Sequence, residues 1–236
     1  MTNLNKIAIV AILSMAFAAT GLAAAPDGPQ EQAVLTKLDS TSLTFKSASA
    51  DIVWNNVQTQ PVPDEDSQVG TVQFERKGGQ LSMALHFKTD NGKPVPKDVV
   101  YTDGVLKLYE PLVKTLTVSQ AGPNRAEYDT FLSLGIGGSG KDLQKNWQVH
   151  YLGTEQLDGA TTSKLELTPL HDEVKKNITK VLLWINMDNG IAVKQQLYDP
   201  TGNYREVIYH NVRVNTKVPS NAFTIKTPPD TKIVNH

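Results

Sequence analysis

ITKVLLWINMDNGIAVKQQLYDPTGNYREVIYHNVRV, residues 178–214, decides the fold. It contains three runs rich in β-branched and aromatic residues: Ile178–Met187, Ile191–Tyr198 and Tyr204–Val214. Between them stand Asp188-Asn189-Gly190 and Asp199-Pro200-Thr201-Gly202. Asparagine and glycine tolerate the positive φ of a tight turn, so an Asn-Gly step between two such runs signals a hairpin. Strands joined by short turns are antiparallel. In the first run Val181, Leu183, Ile185 and Met187 share one face, and Leu182 and Trp184 the other.

The same grammar extends upstream. Trp147–Gly153 and Thr161–Thr168 read as strands around the turn Asp158-Gly159. Val69–Arg76 and Leu81–Lys88 flank Lys77-Gly78-Gly79-Gln80, with Leu81, Met83, Leu85 and Phe87 on one face. Val99–Thr102 and Val105–Tyr109 flank Asp103-Gly104, and Lys114–Ser119 follows. Leu43, Phe45 and then Ala48, Ala50, Ile52 and Trp54 alternate with polar residues, with a slip near Ser47 that predicts a bulge. Ala222–Ile225 reads as the last strand.

Helical spacing is confined to a few places. Ala33, Val34, Leu35 and Leu38 form a stripe over Gln30–Asp39. Ala126–Leu134, Lys141–Lys145 and Pro169–Lys176 are shorter candidates. About ten strands in hairpin order with little helix indicate a mainly β (α+β) chain built on one antiparallel sheet or barrel. A sheet of that size curls or closes, and the helices are then available to cover one face or mouth.

The chain has 236 residues, 39% apolar and 20% charged, with 23 basic and 24 acidic side chains and no cysteine. There is no basic excess to neutralise a phosphate backbone, so nucleic acid is not an expected partner. Absence of cysteine excludes disulfides, thiol nucleophiles and an N-terminal lipid-modified Cys. Residues 1–23 read as a signal peptide: Lys6, an apolar run from Ile7 to Ala19, then small residues. Cleavage after Ala23 leaves 24–236 as a single domain with 22 basic and 24 acidic residues, an exported protein.

Several stretches invite a chemical reading. Gly135-Ile136-Gly137-Gly138-Ser139-Gly140-Lys141 satisfies G-x-G-x-x-G and misses a P-loop by one residue, Asp142 standing where Ser or Thr would hold magnesium. Phosphate cradling needs a strand before the loop and a long helix after it. Here the preceding stretch looks helical, so the loop reads as a flexible connector. The histidines His86, His150, His171, His210 and His236 have no metal-ligand spacing, and His86 and His210 read as sheet residues. Asp64-Glu65-Asp66 reads as a solvated, Pro-bounded turn. No catalytic residue, metal or cofactor is expected, and the chain does not read as an enzyme. What remains is apolar surface. A curved sheet carrying this much must bury it against helices or around a ligand.

In order along the chain, the pieces resemble those of the LolA group of periplasmic lipoprotein carriers and the wider LolB-like and RseB-like superfamily. The helix around Val34–Leu38 leads into Ser42–Phe45. Gly70–Lys77 resembles the group's arginine-bearing strand. Tyr101-Thr102-Asp103-Gly104 with Leu108-Tyr109-Glu110-Pro111 resembles its hairpin. Trp147–Leu152 and Leu165–Pro169 fit the next strands, and Phe223 to Pro228-Pro229 the closing motif. Lys77 replaces a proline, and Leu106 and Leu108 stand where aromatics are usual.

The resemblance implies an unclosed, strongly curved antiparallel β-barrel with helices covering its concave apolar face. It implies a periplasmic carrier, a monomer, that holds lipoprotein acyl chains between an inner-membrane release complex and an outer-membrane acceptor. A lipid- or envelope-stress-sensing binding module of the same fold is the alternative. The expected cavity lining is Trp54, Met83, Leu85, Phe87, Leu106, Leu108, Phe131, Leu134, Ile136, Leu183 and Ile185, with Arg76 holding a covering helix. Each acyl methylene buried would contribute ~0.8 kcal/mol.

Overall fold

Twelve strands hydrogen-bond into one sheet that does not close. The computed structural model describes residues 28–122, 125 and 131–236. The expected signal segment, 1–23, lies outside the described residues, as does most of the helix expected over 126–134.

Helix α1 (Pro29–Thr44) comes first, with Pro at its first turn, where no amide donor is needed. Strands β1 (Ser47–Gln58), β2 (Asp64–Lys77), β3 (Gln80–Asp90), β4 (Lys93–Thr102), β5 (Val105–Glu110) and β6 (Thr115–Gln120) make one half of the sheet. Helix α2 (Gly140–Asn146) leads into β7 (Trp147–Leu157) and β8 (Ala160–Pro169). After α3 (Asp172–Lys175) come β9 (Lys180–Asn186), β10 (Ile191–Tyr198), β11 (Tyr204–Val214) and β12 (Lys232–Asn235).

The spatial order is β12-β6-β5-β4-β3-β2-β1-β11-β10-β9-β8-β7. The β1·β11 pair therefore joins the two meanders, and β7 and β12 are the edges. All pairings are antiparallel except β12 with β6. Tight two-residue turns hold the register. Gly78-Gly79 has φ of 59° and 81°, and Asp103-Gly104 of 52° and 76°, the mirror-image turn geometry whose twist matches paired strands.

Some sequence expectations shift. Leu43 is not in a strand. It lies in the last turn of α1, which runs past Asp39 to Thr44, and is 86% exposed. The bulge falls at Ser49/Asp51, where β1 meets β11. Asp64-Glu65-Asp66 is the start of β2, paired to β1, rather than a solvated turn. Ala222–Ile225 forms no strand; the last strand is β12, further on and parallel. The β3–β4 hairpin turns at Asn91-Gly92, φ 48° and 74°.

Period-two alternation sends one set of side chains inward from every half of the sheet. Ile52, Val72, Met83, Tyr101, Leu165, Leu183 and Val207 belong to a single buried cluster that also takes Val34, Leu35 and Leu38 from α1. Each of these helix side chains contributes roughly 1.5–3 kcal/mol on burial. The convex face is covered differently. Trp184 lies there under its own neighbours, with Lys164 Nζ and Lys194 Nζ at 4.7 and 5.0 Å from its ring. Its indole N–H donates to Glu155 at 2.6 Å.

Candidate functional site: the cover of the concave face

The concave face is closed by chain that does not belong to the sheet. One part is α1, pinned to the β9–β10 turn by Lys37 Nζ on Asp188 O (2.7 Å) and Thr41 Oγ1 on Asn189 O (3.1 Å). The other is a strap, residues 133–140, that runs from the end of the helical residues 131–132 into α2. Leu134 and Ile136 point down from the strap into the apolar cluster.

The strap is not a flexible connector. The Leu134 carbonyl accepts from the buried Gln195 side chain, and the Gly135 carbonyl accepts from Ala192 N at 2.7 Å, both on β10. The Gly137 carbonyl accepts from Arg76 Nη1 at 2.9 Å, at the end of β2. The strap thus ties together two strands from opposite halves of the sheet. Its glycines allow the approach. At Gly137, φ +73°, a Cβ would lie 2.5 Å from the Phe45 ring, and at Gly140 a Cβ would lie 2.5 Å from the Leu35 carbonyl oxygen of α1. The context is also wrong for phosphate binding, since turns precede the loop and α2 has 7 residues.

Arg76 carries two contacts at once. Its guanidinium donates to the strap and lies 5.4 Å from the centre of the Phe45 ring. The sequence expectation has this arginine hold a covering helix; its bond to Gly137 goes to the backbone of the strap. A cleft of about 270 Å³ opens beside it, lined among others by Leu38, Arg76, Leu81, Leu134, Asp142 and Leu143. Asp142 fixes the far end of the strap. Its N–H donates to Ser139 Oγ at 3.0 Å, capping α2, and its carboxylate accepts from Ser139 Oγ and from Lys145 Nζ, each at 2.7 Å. The bond from Lys145, then that from Ser139, holds the Asp142 carboxyl below its usual range.

The residues singled out from sequence come together here. Met83, Leu85, Phe87, Leu106, Leu134, Ile136, Leu183 and Ile185 are all in the buried cluster, and Trp54, Leu108 and Phe131 pack against it half-buried. His86 and His210 lie on the other, convex side. Each is bonded to a carboxylate, Asp98 at 2.8 Å and Asp158 at 3.0 Å. Among the described residues no group of three or more His, Asp or Glu could hold a metal ion, and no helix is long and apolar enough to cross a membrane.

Sequence reasoning missed Gln195 and Arg205, and took Gly140 only as part of a flexible connector. Arg205 stands on β11 two residues before Val207 and four before Tyr209, so alternation turns it to the concave face. Its register partners are Asn56 on β1 and Leu197 on β10. Its guanidinium lies 5.9 Å from the Trp54 ring, and Trp54 in turn meets Phe87 edge-on, with ring centroids 5.9 Å apart. Burial pushes the Arg205 pKa down. The signal is the lone charge in Arg205-x-Val207-x-Tyr209, but alternation does not say which side of a strand faces the core.

No protein-family model matches the chain, and no curated protein matches its sequence. Solved structures do match in fold. An uncharacterized conserved protein from Thermus thermophilus has a TM-score of 0.56 at 12% identity, over 88% of this chain and 99% of that one. MucB has a TM-score of 0.52 at 13% identity, over 89% of this chain and 67% of that one. It is also solved in complex with MucA from Pseudomonas aeruginosa. A LolA superfamily protein from Nitrosomonas europaea matches at TM-score 0.38 and 16% identity, over 82% of this chain and 97% of that one. At these identities the likeness is one of fold. That fold is the unclosed, helix-covered antiparallel sheet that the sequence resemblance implied.

Proposed function

We propose that the protein is an exported, periplasmic carrier that takes lipoprotein acyl chains onto the concave face, beneath α1 and the strap, and delivers them toward the outer membrane. One observation carries the reading. The apolar concave face is covered by segments outside the sheet, and the strap is held to it through three carbonyls, those of Leu134, Gly135 and Gly137. Lifting the strap exchanges a few hydrogen bonds, at a net ~0.5–1.5 kcal/mol each, for acyl contacts at ~0.8 kcal/mol per methylene. A chain of ordinary length outweighs that exchange. The lining proposed from sequence, Trp54 through Ile185, is the surface that the acyl chains would touch, and Arg76 is the residue that holds the strap down between loads.

Release needs no nucleotide. Cargo passes from a membrane-bound release complex to this protein and on to an acceptor of higher affinity, so the binding surface needs adequate rather than maximal fit. Met83 suits that role, since a thioether side chain adapts to irregular shapes. The test is native mass spectrometry of the monomer purified from its own periplasm without detergent. A bound triacylated protein is the expected result. A free lipid in its place would replace lipoprotein carriage by lipid binding, and empty protein under conditions that preserve other lipid carriers would remove both.

A further inference from the structure

The apolar concave face carries a cation, Arg205, for which no hydrogen bond is found among the described residues. Arg205 lies half-buried on it, near the end of the strands away from Arg76. Between the register positions of the two, β1 runs about ten residues, or roughly 30 Å at strand rise. Among the described residues Arg205 has a ring contact, with Trp54, and no hydrogen-bond acceptor. The acids at this end are engaged elsewhere. Asp66 accepts from Asn91 Nδ2 at 2.7 Å, and Asp90 pairs with Lys97 at 3.6 Å. Asp199 accepts from Thr201 N and Asn203 N of its own turn, at 2.8 and 3.1 Å.

The setting is prepared rather than accidental. Trp54 is fixed edge-on by Phe87 and by its indole N–H on Asn56 Oδ1 at 3.2 Å. It presents its face to the guanidinium, which a planar cation favours over a point charge. Asp199 acts on the guanidinium only through space, and a cation partly removed from water with no acceptor bonded to it is unfavourable; the flat fork of arginine matches a phosphate or carboxylate with two parallel hydrogen bonds. Next to it begins the surface proposed above for acyl chains.

We infer that Arg205 and Trp54 form a head-group subsite that selects amphiphiles whose apolar chain ends in an anionic group, phosphate or carboxylate. The chain lies along the concave face and the anion meets the guanidinium over the indole. This inference rests on acyl binding by that face and adds to it a preference that an uncharged head group does not satisfy.

The experiment titrates the full-length mature protein with dispersed phosphatidylglycerol, with phosphatidylcholine of the same acyl chains, and with inorganic phosphate alone. At low salt phosphatidylglycerol is expected to bind at least 10-fold more tightly than phosphatidylcholine. Inorganic phosphate is expected to show no saturable binding at millimolar concentration. Arg205→Gln should erase the preference by weakening phosphatidylglycerol only, and Arg205→Lys should restore part of it. Equal binding of the two lipids by the wild-type protein, which needs no variant to fold, overturns the subsite and leaves acyl carriage standing. Saturable inorganic phosphate binding lost in Arg205→Gln makes the site one for free anions and overturns the lipid assignment. Binding of neither lipid overturns both the subsite and the acyl reading beneath it.

Discussion

Arg76 and Arg205 stand on the same face of the same sheet, each half-buried and each over an aromatic ring, at 5.4 Å from Phe45 and 5.9 Å from Trp54. They differ in what completes them. Arg76 donates to the Gly137 carbonyl, so its charge is used by the folded chain. Arg205 has no acceptor among the described residues. A cation the fold uses is a fastener, and one that the fold leaves open is a receptor. Removing the first should cost stability, and removing the second should not.

The largest effect is expected just beyond the fastened end. A side chain at Gly140 would meet the backbone of α1 at Leu35, which no rotamer change can relieve. Gly140→Val should therefore cost about 3 kcal/mol by overpacking, a fall of roughly 6–12 °C in Tm for a chain of this size. Thermal unfolding checks it. A variant melting within about 2 °C of the wild type would mean that α1 and α2 are not closely seated, and the cover would lose its anchor.

Arg76→Leu comes next. It removes a charge-assisted hydrogen bond worth ~1.5–3 kcal/mol and made only while the strap is down. Amide exchange over residues 134–138 should quicken by roughly 10- to 150-fold, with the sheet amides unchanged. The same variant should load cargo readily and release it slowly, because the closed empty form no longer competes. Exchange at the wild-type rate would reduce Arg76 to a strand-end arginine.

Arg205→Leu sharpens the contrast from the other side. It gives up a cation–π contact of ~0.5–1 kcal/mol and relieves a half-buried charge that has no bonded acceptor among the described residues, so stability should stay within about 1 kcal/mol of the wild type. Urea denaturation of both variants side by side reads the difference. A loss equal to that of Arg76→Leu would show that Arg205 is structural after all.

The strap and Arg205 also mark where the sequence stops being readable. Hairpins whose turns are written locally, such as Gly78-Gly79 and Asp103-Gly104, are legible because turn and strands lie within a dozen residues. The Asn91-Gly92 hairpin is obscured by Pro94 and Pro96 just after it. They are tolerated because β5 pairs with β4 only from Asp98 onward, which leaves that stretch of β4 without a second neighbour.

The glycines of the strap announce freedom in a sequence, but here they serve contact with Phe45 and Leu35, about a hundred residues away in the chain. No local pattern encodes such a partner. The apolar lining is legible residue by residue from its alternation. The helix that covers it is legible too, but the strap beside that helix is not, and neither is Arg205 at its end. Strand β12 escapes for a related reason: Ile233, at its centre, stays 60% exposed, so no core demand shaped its sequence.

The smallest effect tests whether the fastened end is closed by electrostatics beyond Arg76. Ser139 caps α2 where the strap ends, accepting from Asp142 N, and the Asp142 carboxyl is held below the usual 3.8, first by the bond from Lys145 and then by that from Ser139. A depressed folded-state pKa contributes stability that is fully present above the unfolded value and is lost as pH falls through the folded one. The contribution is therefore intact at neutral pH and disappears below about pH 4. Both partners are exposed, and pairs of that kind contribute ~0.2–1 kcal/mol. Asp142→Asn should lower stability by no more than that at pH 7. The gap between variant and wild type should narrow as pH drops below about 4, and it should shrink at high salt at any pH. Parallel unfolding curves at about pH 7 and about pH 3, either side of that range, make the comparison. Asp142→Asn keeps the backbone N–H that donates to Ser139, so a gap that persists in acid would place the role of Asp142 in uncharged contacts of its side chain, and would leave Arg76 as the one charge that fastens the strap.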